Sequence, residues 1–181
     1  MARKCRACKV EIPAVKDSLT AQKKGFCDFD CMAAHGLALA RKAQEKAQRA
    51  KHRADKERLK TKSQHAKEAQ TAFNAYIRKR DEHLPCISCQ RHHTGQYHAG
   101  HYRSVGGNPE LRFEPLNNHK QCAPCNTHLS GNLIDYRINL IKKIGQDAVD
   151  WLEGPHEPKR YTIEQIKEIT KYYKAKLKEL K

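Results

Sequence analysis

Acidic residues are scarce in this chain. Its 181 residues hold 20 Asp and Glu against 36 Lys and Arg, a formal net charge of +16. Aromatic side chains make up 7%, with a single Trp, and the mean hydropathy is −0.91. A chain this polar does not sustain one large core over its whole length. It has no run of about 18 apolar residues, which excludes a membrane-spanning helix. The opening MARKCRACKV lacks the apolar stretch of a secretory signal, so a reducing, cytoplasmic address is expected. Glycine and proline are missing from residues 37–84, which removes the usual helix breakers there. The positive excess points to a polyanion partner, nucleic acid being the commonest. The plainer alternative is that the charge only solvates a polar helix.

Cysteine, by contrast, is plentiful and ordered. All eight fall in close pairs: Cys5/Cys8, Cys27/Cys31, Cys86/Cys89 and Cys122/Cys125. Three pairs are C-x2-C and one is C-x3-C. Thiolates at this spacing grip one tetrahedral zinc from a tight turn, and a second pair closes the site. Two structural Zn²⁺ sites are expected, one per quartet. Disulfides are the alternative, and a chain without a secretory signal disfavours them. Each lobe has little apolar mass, so metal would supply much of its folding free energy.

The chain reads as four stretches. Residues 1–36 form a zinc lobe, with Phe26 and Phe29 flanking Cys27 as a minimal core and Pro13 and Gly25 marking turns. Residues 37–80 form a long helical arm. From 41 to 62 it is nearly all Ala, Lys, Arg, Gln and Glu, strong helix formers. Its Arg41, Lys42, Lys46, Arg49, Lys51 and Arg53 are candidate phosphate contacts. A solvated linker helix, or a weak coiled-coil seam along Ala43, Ala47, Ala50 and Ala54, is the alternative. Ala69, Ala72, Phe73, Tyr76 and Ile77 then mark an amphipathic face that should pack on a core. Residues 81–153 form a loop-rich centre. Within it, 97–103 and 111–113 read as short strands of a hairpin joined across 104–110. A helix follows Gly131 and stops at Gly145, with a short second one over 148–152. Residues 154–181 are a Gly-Pro linker and a last helix, opened by a Thr162/Gln165 capping box with a Tyr161/Ile166 staple.

The chemistry concentrates in residues 97–126, which hold His98, His101, Asn117, His119, Cys122, Cys125 and Asn126. In this order they resemble the His-Me finger, or HNH, nuclease motif. There a strand ends in a general-base His, an Asn in the following loop orients it, and a helix near the last zinc Cys supplies a ligand for a catalytic metal. The segments LPCISC, AGHYRS, LRF, NNHKQC, PCN and SGNL, with the Lys79-Arg80-Asp81 lead-in and the IGQDAVD tail, resemble the phage NinG (Rap) recombination nuclease family. The likeness covers about residues 70–181 well and the N-terminal part more loosely.

The resemblance implies an α+β chain, small and metal-stabilised, with a ββα-metal core beside a long basic helix and an N-terminal zinc lobe. It implies a structure-selective endonuclease acting on branched DNA, such as Holliday junctions and D-loops, during phage recombination in the bacterial host cytoplasm. A homodimer is expected if junctions are cut symmetrically. His101 matches the general base, Asn117 the orienting Asn, and Asn126 a ligand for Mg²⁺ or Mn²⁺. Cys86, Cys89, Cys122 and Cys125 match the zinc knuckle. The chemistry suits the residue types: a neutral imidazole near pH 7 takes a proton from water, and a hard cation neutralises phosphate charge.

One position departs from the wider superfamily. Gly100 stands where many members have Asp or His before the base. His98 is the expected substitute ligand, provided a bulge at Ala99 and Gly100 turns it to the side of His101. His119 and His128 are further candidates. Arg103 and Lys120 are placed for phosphate contacts, and Tyr97 and Tyr102 for base stacking or core packing. His92 and His93 read as exposed loop residues. The rival expectation is a non-catalytic zinc module that binds DNA or RNA, and Gly100 favours it.

Overall fold

The computed structural model describes residues 3–12 and 24–180, in two units, Met1–Lys60 and Thr61–Lys181. The turn expected at Pro13 lies outside the described residues. Together they give a small mixed α/β protein with one two-stranded sheet.

In the first unit the Cys5–Cys8 turn is closed by Lys9 N donating to Cys5 O (3.0 Å) and Cys5 N to Val10 O (2.8 Å). Lys9 takes a left-handed φ of 68°. Helix α1, Phe29–Arg58, begins inside the lobe rather than after it. Asp28 is its N-cap, its carboxylate accepting from Cys31 N at 2.6 Å, so the cap fixes a cysteine on the first helical turn. The helix runs through Gly36, whose Cα has open space around it. None of its 30 residues is buried.

In the second unit α2, Lys62–Arg80, opens with a capping box between Thr61 and Gln64. Its buried face, Ala69, Ala72, Phe73 and Ile77, packs against Ile166 and Tyr173 of α5, Ile163–Glu179. Phe73 meets Tyr173 edge-on at 4.7 Å between ring centroids. The expected Thr162/Gln165 box does open α5. A second core gathers Ile87, Tyr102, Leu111 and residues of α3, Leu133–Ile144, and α4, Gln146–Glu153. Gly145 separates α3 and α4 with φ 88°.

The sheet lies between these cores. Strand β1, Tyr97–His101, pairs antiparallel with β2, Asn118–Cys122, from Tyr97↔Cys122 to His101↔Asn118. Two expectations fail here. Residues 111–113 are not a strand: Pro109–Leu111 and Pro115–Asn117 are 3₁₀ turns. Leu111 and Phe113 look alternating because they plug two different cores. The second strand is instead the wholly polar NHKQC, and all five of its residues are buried. The register also runs without a bulge, so His98 and His101 point to opposite faces.

Candidate metal knuckles and active-site cleft

The second knuckle repeats the first. Gln90 N donates to Cys86 O (2.9 Å), Cys86 N to Arg91 O (3.0 Å), and Gln90 has φ 54°. Each quartet brings four Sγ atoms together. Separations are 3.6 Å for Cys8–Cys27, 3.7 Å for Cys5–Cys27, 3.2 Å for Cys27–Cys31 and 3.9 Å for Cys89–Cys122. A tetrahedral Zn–S site has an edge of about 3.8 Å. Donor type, number and spacing therefore fit two closed zinc sites. Supporting contacts surround the second: Cys122 N donates to Cys86 Sγ (3.4 Å), and Asn132 Nδ2 lies 3.9 Å from Cys125 Sγ. His93 is not the free loop residue expected, since its Nε2 stands 3.2 Å from Cys89 Sγ.

His101 ends β1 beside an open cleft of about 590 Å³. Its Nε2 lies 3.2 Å from the Arg112 carbonyl. A carbonyl only accepts, so Nε2 carries the proton and Nδ1 is the basic nitrogen. Burial pushes the ring pKa below 6.5, with the Arg112 hydrogen bond acting the other way, so the imidazole is neutral near pH 7. Asn126 reaches the same cleft from a π-helical turn, Pro124–His128, that directly follows β2. Arg103 lines it too, its Nε donating to Asn108 Oδ1 at 3.2 Å.

Asn117 does not touch the imidazole. It is fully buried; its Oδ1 accepts from Arg103 N (2.7 Å) and its Nδ2 donates to Arg103 O (3.0 Å) and Leu111 O (3.2 Å). It therefore pins the loop over 103–111 at both ends, next to the Arg112 carbonyl that orients His101. His98 and His128 are absent from the cleft lining. His119 is buried with both nitrogens engaged, Nε2 to Leu116 O (3.0 Å) and Nδ1 to Arg80 (3.1 Å), so it has no lone pair for a metal. Lys120 is buried too. Its ammonium donates to Glu82 O (2.8 Å) above the Tyr97 ring (4.4 Å), which takes it out of phosphate contact. Tyr102 is committed to the core, its hydroxyl bonded to Glu153 and its pKa pushed up to about 12, chiefly by burial.

The comparison with known proteins bears on the whole length. The family model described as Bacteriophage Lambda NinG protein matches residues 1–181. The chain belongs to the NinG family. Protein ninG of Escherichia phage 933W is 42% identical over 198 residues, covering 99% of this chain and 94% of that protein. Protein ninG of phage lambda is 52% identical over 123 residues, 68% of this chain and 60% of that protein. The Salmonella phage P22 protein is 50% identical over the same length. No solved structure matches.

Two further features of this NinG-family chain were not legible beforehand. Asp81 is a hub beneath the sheet. Its carboxylate accepts from Lys120 N (3.1 Å) and Arg80 (2.8 Å), with Lys143 Nζ at 3.1 Å. Burial opposes its charge, but the adjacent His119 ring, with Nδ1 at 3.6 Å, the hydrogen bonds from Arg80 and the nearby cations outweigh it and hold the carboxyl well below its usual range. Gln121 is the second. Its Nε2 donates to Ser88 Oγ (2.7 Å) and Gly131 O (2.5 Å), tying β2 to the cleft wall, while its Oε1 is buried without a partner. A Cβ at Gly100 would stand 2.1 Å from that oxygen, so any side chain there would have to displace the Gln121 amide.

On α1 the candidate phosphate contacts are all exposed. Lys42, Lys46, Arg49 and Arg53 recur at 4-3-4 spacing and share one helix face along a groove of about 390 Å³. Arg41, paired with Glu45 at 3.5 Å, and Lys51 lie off that stripe.

Proposed function

We propose that this NinG-family chain is an endonuclease that hydrolyses phosphodiester bonds in branched DNA, Holliday junctions and D-loops among them, during phage recombination in the host cytoplasm. The observation that carries this is His101, neutral and with a free basic nitrogen, sharing one open cleft with Asn126 and Arg103. The strand–strand–turn order ending in a zinc knuckle supports a ββα-type core. In the reaction, Nδ1 takes a proton from water, the resulting hydroxide attacks phosphorus, and the opposite P–O ester bond breaks. The leaving sugar oxygen picks up a proton from solvent, and the imidazolium returns its proton to solvent. Arg103 offsets the charge building on the phosphoryl oxygens. Zinc in the second knuckle would hold the turn that carries Asn126 and the adjoining cleft wall.

Mg²⁺ or Mn²⁺ was expected at Asn126, and the cleft residues do not by themselves fit one. They offer a neutral amide oxygen where a hard cation wants several oxygens, some of them charged, and no Asp or Glu lines the cleft. No step above runs through such an ion. The α1 stripe would grip backbone phosphates, and branch selectivity would come from shape. Symmetric cutting would need two such clefts, hence a homodimer.

The test is cleavage of a synthetic four-way junction by wild type and His101→Ala with Mg²⁺ or Mn²⁺, beside a linear duplex. Loss of a general base should slow cutting roughly 10²–10⁴-fold while binding is kept. A metal-replete wild type that binds junctions without cutting them would establish the second reading, a non-catalytic DNA-binding module, which the carboxylate-free cleft favours.

A further inference from the structure

We infer that a second cavity, walled by the turn over 86–90 and by α3, docks an acidic segment of a partner protein. That segment seats one large apolar side chain among Leu84, Pro85 and Ile87 and sets a carboxylate on Lys142. The cavity holds about 250 Å³ and shares no lining residue with the His101 cleft. Neither the cavity nor its occupant depends on the nuclease reading. A small-molecule site takes about 300–1,000 Å³. The smaller volume here suits a single anchor side chain, of the kind that dominates protein interfaces.

The lining chooses the chemistry. Leu84 is 41% exposed and Ile87 only 5%, so apolar surface runs from solvent down to the second core. Pro85 brings no N–H to it. Most polar groups of the wall are already spent. Gln90 donates its amide to Cys86 O and Ile87 O, and Asn139 donates to Ser88 O. Lys120 Nζ is bound to Glu82 O, and Lys143 Nζ lies 3.1 Å from Asp81. Lys142, exposed on the last turn of α3, is the lining cation that has no partner among the described residues. No acidic side chain lines the cavity among those residues. A large apolar side chain beside a carboxylate matches both the slot and its positive rim.

Nucleic acid fits this lining less well. Its backbone wants several free cations in a row, and its bases want aromatic faces. Here one ammonium is free, and no aromatic side chain lines the cavity among the described residues. The row of cations is on α1 instead, at Lys42, Lys46, Arg49 and Arg53. A second copy of the chain is a poor source of the acidic segment, since its own net charge is +16. The same charge draws an acidic partner in from a distance.

The experiment titrates zinc-loaded full-length protein into short fluorescein-labelled peptides, each rich in Asp and Glu around a single Phe, Leu or Trp, read by anisotropy. At least one should bind with a Kd in the micromolar range, and replacing its anchor by Ala should weaken it about 10–100-fold. Lys142→Glu should weaken that peptide about 10-fold and favour a counterpart with Lys in place of its acids. Leu84→Glu should abolish its binding. Both changed side chains are exposed, so zinc content and unfolding should match wild type. Backbone amide shifts on adding peptide should gather at Leu84, Ile87, Asn139 and Lys142 and spare Asn126 and Ser130. Four-way-junction affinity should stay within about threefold of wild type in both variants, since salt screens a lone exposed charge. Acidic peptides that bind no better than their Ala-anchored or basic counterparts overturn the inference, as do unchanged affinities in Lys142→Glu and Leu84→Glu. Junction affinity that falls about 10-fold or more in both variants, with junction displacing the peptide, also overturns it and gives this face to nucleic acid.

Discussion

Gly100 shows how a single position can be decided by its neighbour across the sheet. The Gln121 amide lies where a side chain at 100 would go, 2.1 Å from its Cβ, and is held there by Ser88 and Gly131. Gly100→Ala should therefore destabilise the second unit by about 1–3 kcal/mol. Urea unfolding measures this. Combined with Gln121→Ala, the two losses should sum to less than their separate values, with a coupling of about 0.5–3 kcal/mol. Independent losses would show that the amide moves aside freely. At His101 the prediction is a pH profile. Burial depresses the ring pKa from 6.5, so the base form persists into mildly acidic solution. The acid limb of kcat/KM should lie below 6.5, and a limb above that value would contradict the buried geometry. The same sign applies to folding. The stability this ring contributes is full above its unfolded pKa and is lost as pH falls through the depressed folded value.

At the scale of elements, the two cysteine turns are near-copies with unequal consequences. Each should hold one zinc, so metal analysis should return two per chain. Cys5→Ser should lower the count to one and leave junction cutting by the second unit. Cys86→Ser should also lower it to one and abolish cooperative unfolding of that unit. There the knuckle holds β2 through Cys122, and Asn132 beside Cys125 opens α3 next to the cleft. Equal damage from both variants would refute this asymmetry. The knuckles were legible because metal ligands need fixed spacing, and α5 was legible because its capping box is local. Strand β2 was not. NHKQC has no apolar alternation, and it is buried because Asp81, Glu82, Ser88 and Gly131 engage most of its polar groups from distant parts of the chain, leaving only the Asn118 Oδ1 and Gln121 Oε1 amide oxygens without a partner. His101 and Asn126 were visible through the motif. The Arg112 carbonyl that orients His101 was not, because a backbone oxygen has no residue type. Asn117 was expected to orient the imidazole, but its bonds go to the loop instead of the ring.

At the scale of the whole molecule, the basic helical stripe and the cleft sit in different units, although each unit is net positive. The second unit has two apolar cores, one zinc quartet and the entire cleft. The first unit carries the long exposed helix with the Lys42, Lys46, Arg49 and Arg53 stripe. A fragment spanning 61–181 should thus fold cooperatively with one zinc and keep some cutting of junctions at low salt. Its affinity should depend less steeply on salt than that of the full chain. Each phosphate contact releases counterions worth about 0.9 in the slope of log affinity against log salt, so losing four contacts should flatten that slope by about 3.6. Full-length protein with all four stripe residues changed to Ala should show the same flattening with both zinc ions retained. If the fragment and the quadruple variant keep the full-length slope, the helix is a solvated spacer, and the positive charge that grips DNA must lie around the cleft itself, on Arg103 and its neighbours.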